Sequence, residues 1–299
     1  EIYTLSLHDA LPISIWSASE AAQGMQYLAM AGFKTNEIIE TMPGMLNLAS
    51  AGAIDLASAS DIASNILTGF GLSASDMNRV GDVLTNTFTQ SNTTLQGLGA
   101  TMKYAAPVAK AMGVSIEQAA AMAGKLGDAG IQGEMAGTTL RSVLLRLSAP
   151  SEKAAVALDA LGVRTTDANG KMKSFPAILK ELNAAMSGMS ESARANFTKT
   201  IFETEAMSGA LVLMEQAGSG ALDKFIGAVQ DVGSAESVAS KQIDNLNGDV
   251  TILNSAMQEM ALKIYDSVKP ALRAFAQQAT EIVTRSRSEE RRVGKECRS

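Results

Sequence analysis

The sequence carries one histidine, His8, and one cysteine, Cys297, in 299 residues. That scarcity excludes a disulfide framework and any Cys/His zinc site within a single chain. It leaves at most one triad-type pair, Cys297 with His8 or a serine with His8. Aromatic residues make up 4% of the chain and prolines number six, while Ala, Gly, Ser, Leu and Met abound. Sheets favour aromatic and β-branched side chains, whereas small and flexible ones suit close-packed helices, so the predicted class is all-α. No window holds the roughly 18 apolar residues that a membrane-spanning helix needs. The first residues are acidic and lack the basic segment that opens a secretion signal. A net charge of −6 argues against nucleic acid as a direct partner. What is present, 46% hydrophobic against 19% charged residues, is a folding composition with room for two ordinary domains or one large one.

The two ends differ from the rest. The first fourteen residues, EIYTLSLHDALPIS, and the last thirteen, RSEERRVGKECRS, resemble translated adapter or linker sequence, and 1–14 and 287–299 are expected to be non-native. The competing reading of the tail is a native basic segment, or a nucleic-acid-binding arm built on Arg287, Arg291, Arg292, Lys295 and Arg298. If both ends are set aside, the remaining 15–286 has neither histidine nor cysteine. It is expected to divide into a compact helical domain over 15–233 and a long helix over 234–286.

Helix boundaries are well marked between these ends. Thr35, Ser73, Ser115, Ser151 and Ser190 each precede an Ala-, Leu- or Met-bearing run, and Gln118 completes a capping box with Ser115. Gly32, Gly71, Gly113, Gly162 and Gly188 are placed to take the left-handed cap that ends a helix. Pro43, Pro107, Pro150 and Pro176 are expected at or near breaks. Met77, Val80, Val83, Leu84 and Phe88 form one apolar stripe at helical spacing, and Leu140, Val143, Leu144 and Leu147 form another.

Two segments depart from that pattern. VRTTDANGKMK, 163–173, holds Asn169-Gly170 between short alternating runs, which predicts a small β-hairpin with a type I′ turn. Further on, Ile243, Leu246, Val250, Leu253, Met257, Met260 and Ile264 step by threes and fours, a heptad seam. Steps of four then link Ile264, Val268 and Leu272, a drift that relaxes the left-handed supercoil, and Pro270 in this stretch is a possible kink. A continuous helix over 235–284 would be about 75 Å long.

Catalytic equipment is sparse. The glycine ladder Gly124, Gly127, Gly130, Gly133 and Gly137 is neither a P-loop, since Thr-Thr-Leu follows Gly137, nor a dinucleotide fingerprint, since no strand precedes it. It reads as a helix end, a tight linker and a closely packed next helix. Glu203/Glu205 and Asp55/Asp61 are carboxylate pairs, but they sit near predicted helix N-termini or on polar faces, where acids are stabilised without any catalytic role. The sixteen methionines suit a loosely specified helical core, with a partner groove the alternative around Met257 and Met260. No catalytic residue, cofactor or metal site is assigned.

The stretch AGKLGDAGIQGEMAGTTLRSVLLRLSAP resembles the core region of phage tail tape measure proteins. The matching residues are Ala129, Gly130, Ile131, Gly133, Ala136, Gly137, Thr138, Leu140 and Arg141. Further segments that resemble the family run from Trp16 to Thr284, among them DANGKMKSFPAIL, IFETEAMSGALVLM and QIDNLNGDVTILNSAMQEMALKIYDSVKPAL. The resemblance implies a non-enzymatic structural role in a long-tailed phage or prophage. Such a protein occupies the lumen of a tail assembled in the bacterial cytoplasm, scaffolds tube polymerisation and sets tail length. It implies tail-tube and tail-tip proteins and tail-assembly chaperones as partners, with self-association through the long helix. Gly130, Gly133, Gly137, Thr138, Leu140 and Arg141 would be structural. Family members are usually much longer, so this sequence is expected to be an internal fragment. Envelope penetration by a membrane-active helical protein is the alternative function, and a cell-wall hydrolase a more distant one.

Overall fold

The computed structural model describes residues 15–296. The expectations for His8, Cys297 and the first fourteen residues lie outside that range. Among the described residues the architecture is all-α: α1 (Ala18–Met30), α2 (Thr35–Ala51), α3 (Leu56–Phe70), α4 (Met77–Thr89), α5 (Leu95–Ala111), α6 (Ile116–Asp128), α7 (Gly133–Ser148), α8 (Glu152–Ala160), α9 (Phe175–Met186), α10 (Glu191–Gly218), α11 (Ala221–Ala228), α12 (Ser234–Ile243) and α13 (Leu246–Glu296). Most of the expected starts hold. Ser115, Ser151 and Ser190 accept from the backbone N–H three residues on, each at 3.3 Å, which satisfies one orphan donor of each helix. Gly32, Gly71, Gly113 and Gly162 all take positive φ at helix ends.

Ser19–Asn245 form one compact unit. Its centre is α6, which buries ten of its residues, from Ile116 to Gly127, and packs against α4, α5, α7, α10 and α11. A helix covered on most sides can bury only what its neighbours leave room for. That is why this element reads IEQAAAMAGKLGD, with alanine and glycine where an amphipathic helix would carry leucine. Adjacent α4 is nearly as enclosed, and its stripe of Met77, Val80, Val83 and Leu84 is buried. Two buried threonines bond within their own helices: Thr87 Oγ1 donates to Val83 O at 2.7 Å and Thr198 Oγ1 to Arg194 O at 2.8 Å, the back-bonding that lets threonine sit inside a helix.

Four expectations are corrected. There is no β-hairpin over 163–173. Only an isolated antiparallel bridge, Thr166 with Met172, forms there. Asp167 Oδ1 accepts from Asn169 N at 2.8 Å and Lys171 N at 2.9 Å, so a side chain takes donors that a strand ladder would use. Val163 is meanwhile tied back to Leu158 O, which leaves too few residues for two strands before α9. Pro43 and Pro107 lie inside α2 and α5 rather than at breaks. Both rings are exposed, while Met42 and Met45, and Ala105, Ala106 and Ala109, are buried beside them. Burial on the opposite face offsets the cost of about 3 kcal/mol for a proline within a helix. Gly188 is not among the positive-φ glycines. The helix expected from 235 is divided, because α12 ends at Ile243, Asp244 turns out at φ −73° and ψ 69°, and α13 starts at Leu246.

The second unit comprises α13 and, among the described residues, the short segment 15–18. Ser255 Oγ donates to Ile15 O at 3.0 Å, which places the segment bearing Trp16 beside the first turns of α13. The helix continues through Pro270. Within this unit Thr251, Ile252, Ser255 and Glu259 are half-buried, whereas Leu253, Met257, Met260 and Ile264 are exposed.

Candidate functional site

The glycine motif joins α6 to α7. After Asp128, Gly130 adopts φ +81° and the N–H of Ile131 donates back to Leu126 O at 2.9 Å, a closure that uses up one of the last carbonyls of α6. Gly133 takes φ +58° where α7 opens. Around neither glycine is there an atom that a Cβ would strike; what each supplies is a left-handed backbone. Gly137 differs. A Cβ there would lie 2.6 Å from Thr101 O and 3.0 Å from Tyr104 Cβ, so glycine lets α7 rest directly on the backbone of α5. Leu140, one turn on, is fully buried, while Thr138 and Arg141 are exposed. Thr138 Oγ1 donates to its own helix at Glu134 O, 3.0 Å. The motif thus splits into four residues that build the corner and two on the outer face of α7, where Glu134 and Leu145 are also exposed.

The turn at 91–94 is stitched to this corner. Asn92 N donates to Asp128 Oδ1 at 2.8 Å, Gln132 Nε2 to Asn92 O at 2.5 Å, and Thr101 Oγ1 to Gly133 O at 3.0 Å. Three connections that are distant in sequence therefore fix one joint.

Sequence reasoning missed two further arrangements. The first lies on α4. Asp82, 8% exposed, accepts from Gly233 N and Ala235 N at 2.9 Å each, and Asn86 Nδ2 donates to Asp231 O at 2.9 Å. A carboxylate from one helix thus caps the N-terminus of another, α12, where the helix dipole favours negative charge. The signal was present: Asp82 and Asn86 are four apart and share a face with buried Val83 and Thr87. The second is Glu203, which stands inside α10 at φ 59° and ψ −177°, a backbone region that belongs almost wholly to glycine. Its carboxylate forms a bidentate ion pair with the guanidinium of Arg146 on α7. Nothing in the local sequence announces that position.

Asp55, Asp61 and Glu117 have structural partners, while Glu205 is exposed on α10. Asp55 caps α3 by accepting from Ser58 N at 2.8 Å and Ser58 Oγ at 2.7 Å, and the Ser58 hydroxyl and amide hold its pKa below the ordinary value. Asp61 accepts from Asn65 Nδ2 at 3.1 Å. Asp55 and Asp61 face, with Tyr27, Ile62, Lys103 and Glu134, an open cleft of about 530 Å³. Glu117 in α6 pairs with Arg79 at 2.6 Å. Burial pushes its carboxyl up, but hydrogen bonds from Ser115 and its own backbone, with the Arg79 guanidinium, more than offset that and lower the pKa. Among the described residues no group of His, Cys, Asp and Glu is placed to hold a metal ion, and no helix is long and apolar enough to cross a membrane.

The seam residues fall on two elements. Ile243 is half-buried at the end of α12, and Leu246, Val250, Leu253, Met257, Met260 and Ile264 lie exposed along α13, with Leu246 at 79% and Met257 at 61%. Val268, Leu272 and Phe275 extend this apolar line. Such a run of exposed apolar residues on one helix is what an unpaired coiled-coil strand presents.

Glycine-mediated helix contacts and a long, apolar-striped helix place the described residues in the all-α class. More particularly, the chain belongs to the family of phage-related minor tail proteins, whose family model matches residues 8–203. It is similar to the tape measure protein of Pneumococcus phage Dp-1, at 36% identity over 269 residues that cover 90% of this chain and 23% of the relative. It is similar also to a protein of Escherichia phage P2 named "Probable tape measure protein", at 40% identity over 271 residues, 89% of this chain and 33% of the relative. A third relative with that name, from Clostridium phage phiCD119, is 26% identical over 237 residues. The chain thus spans a third or less of the length of the first two relatives. No solved structure matches it.

Proposed function

We propose that this chain is part of a tape measure protein: a non-catalytic structural component of a phage tail that scaffolds polymerisation of the tail tube and sets its length. The observation that carries the reading is the match of nine-tenths of the chain to a relative of that name at 36% identity. The physical form agrees with it. A helix converts residues to distance at about 1.5 Å each, and α13 is such an element, 51 residues long. A unit divided among the separate helices α1 to α12 is a poor ruler. Ser19–Asn245 therefore serves as a folded module within the longer protein, and the ruler comprises α13 and helical sequence like it.

The partners that follow are tail-tube and tail-tip proteins, tail-assembly chaperones, and further copies of the chain through the α13 seam, in a tail lumen filled during assembly in the host cytoplasm. In-frame deletions and duplications within the helical part of the full-length gene are expected to shorten and lengthen tails in proportion to residues removed or added. Electron micrographs of the resulting particles measure this, and unchanged tail length would refute it.

A further inference from the structure

We infer that Asn169 is a self-modification site, at which the chain converts asparagine to isoaspartate and aspartate without an enzyme, and that Asp167 holds the reaction back. The site is the exposed pair Asn169-Gly170 in the connector between α8 and α9. Gly170 has no Cβ to shield its main-chain nitrogen, and that nitrogen lies within ring-closing reach of the Asn169 side-chain carbon Cγ. Water is the only co-reactant. Gly170 N attacks Asn169 Cγ, so that an N–Cγ bond forms and the bond from Cγ to the side-chain NH2 breaks. The amide proton of Gly170 leaves with that NH2 group as ammonia. Water then opens the cyclic imide. Attack at Cγ breaks its new bond to nitrogen and gives aspartate. Attack at the main-chain carbonyl carbon gives isoaspartate, whose backbone runs through Cγ.

The turn restrains this step at the attacking atom. Gly170 N donates to Asp167 O at 3.1 Å, so the nucleophile is engaged elsewhere. Asp167 Oδ1 accepts from Asn169 N at 2.8 Å and from Lys171 N at 2.9 Å, which pins the chain on both sides of that nitrogen. Asp167 N donates to Lys171 O at 2.7 Å and closes the turn. Ring closure needs rotation about the bond from Asn169 Cα to its carbonyl carbon, so these bonds must open first. The rate is then that of the open turn multiplied by the fraction of time the turn is open. The isoaspartyl product is irreversible in its effect. Its main chain is longer by one atom, so the amides of residues 169 and 171 no longer converge on one carboxylate oxygen. The connector between α8 and α9 thus keeps a covalent record of its own opening.

The test holds this chain in mildly alkaline buffer for weeks, then digests it and reads isoaspartate and aspartate by peptide mass spectrometry and enzymatic methylation of isoaspartate. Asn247-Gly248, at the start of α13, is a second such pair and serves as the reference in the same sample. Product is expected at residue 169 of the parent chain. Asp167→Ala should speed its formation by about tenfold or more and leave the rate at Asn247 as it was. In guanidinium chloride, where no turn remains, parent and variant should react alike at residue 169. Gly137→Ala, which crowds α7 against α5, weakens the same unit at a distance and should leave residue 169 at the parent rate. The inference is overturned if the folded parent forms no product at 169 while the denatured chain does, or if Asp167→Ala leaves the native rate unchanged. It is overturned equally if that variant is faster by the same factor in guanidinium chloride, or if Gly137→Ala matches it, since the restraint would then be intrinsic reactivity or global stability and not Asp167.

Discussion

Two glycines of one motif fail for different reasons when replaced. Gly130→Ala meets open space and bears only the strain of a left-handed backbone, about 1 kcal/mol. Gly137→Ala puts a methyl 2.6 Å from a carbonyl oxygen of α5, and backbone cannot rotate aside as a side chain can. It should cost about 1–3 kcal/mol and melt clearly below Gly130→Ala in thermal unfolding. The reverse order would mean that α7 is not seated on Thr101. Carboxylates give a second prediction at this scale. The pKa values of Asp55, Asp76 and Glu117 are all lowered in the folded chain, Asp76 first by the Ser73 amide and hydroxyl. A group depressed by folding contributes stability above its unfolded value and loses it as pH falls through the folded one. Urea midpoints should therefore hold steady from neutral pH downward and start to fall near 4.5, the ordinary value for Glu117. Glu117→Gln should flatten that fall, and an unchanged profile would deny the Arg79 pairing its role.

Among the elements, α10 carries the sharpest conflict between local preference and tertiary demand. Glu203 holds a backbone that glycine would adopt freely, and Arg146 on α7 compensates through its ion pair. The two contributions separate in a cycle. With Arg146→Ala in place, Glu203→Gly should raise the melting temperature, because only the strain remains to be relieved. With Arg146 present the gain should shrink or reverse. A Glu203→Gly change that lowers stability equally in both backgrounds would show that the backbone there is not strained. Such conflicts mark the limit of what the sequence discloses. Caps at Ser115, Ser151 and Ser190 were legible because the cap residue and its donor are three apart. So were the apolar stripes of α4 and α7, which repeat at the helical period. Positions settled by distant partners were not legible. Asp82 is defined by Gly233, 151 residues away, and Glu203 by Arg146. The Asn-Gly signal at 169–170 was a true turn, yet Asp167 used the donors that a hairpin needs. The prolines misled because the rule for them is local, whereas the burial that outweighs it at Pro43 and Pro107 comes from neighbouring helices. Of the candidate site, the corner glycines could be read directly and the trans cap on α12 could not.

At the scale of the molecule, the chain divides its labour between a capped helical unit and a helix whose apolar seam, among the described residues, lies exposed. If copies associate through that seam, Leu253→Asp with Met257→Asp should lower the sedimentation-derived mass towards that of one chain. The melting of Ser19–Asn245 should stay where it is, since neither residue belongs to that unit. Loss of both together would show that the seam is part of the folded core. The distribution of chromophores makes this division visible. The chain's one tryptophan, Trp16, belongs to the unit of α13, while the compact unit holds Tyr27 and Tyr104. Excitation at the red edge of protein absorption therefore interrogates only the rod-bearing part, and circular dichroism weighs every helix. The single tryptophan lies on one side of the partition, so its emission, followed beside circular dichroism in one sample, is a thermometer for one part set against a thermometer for the whole.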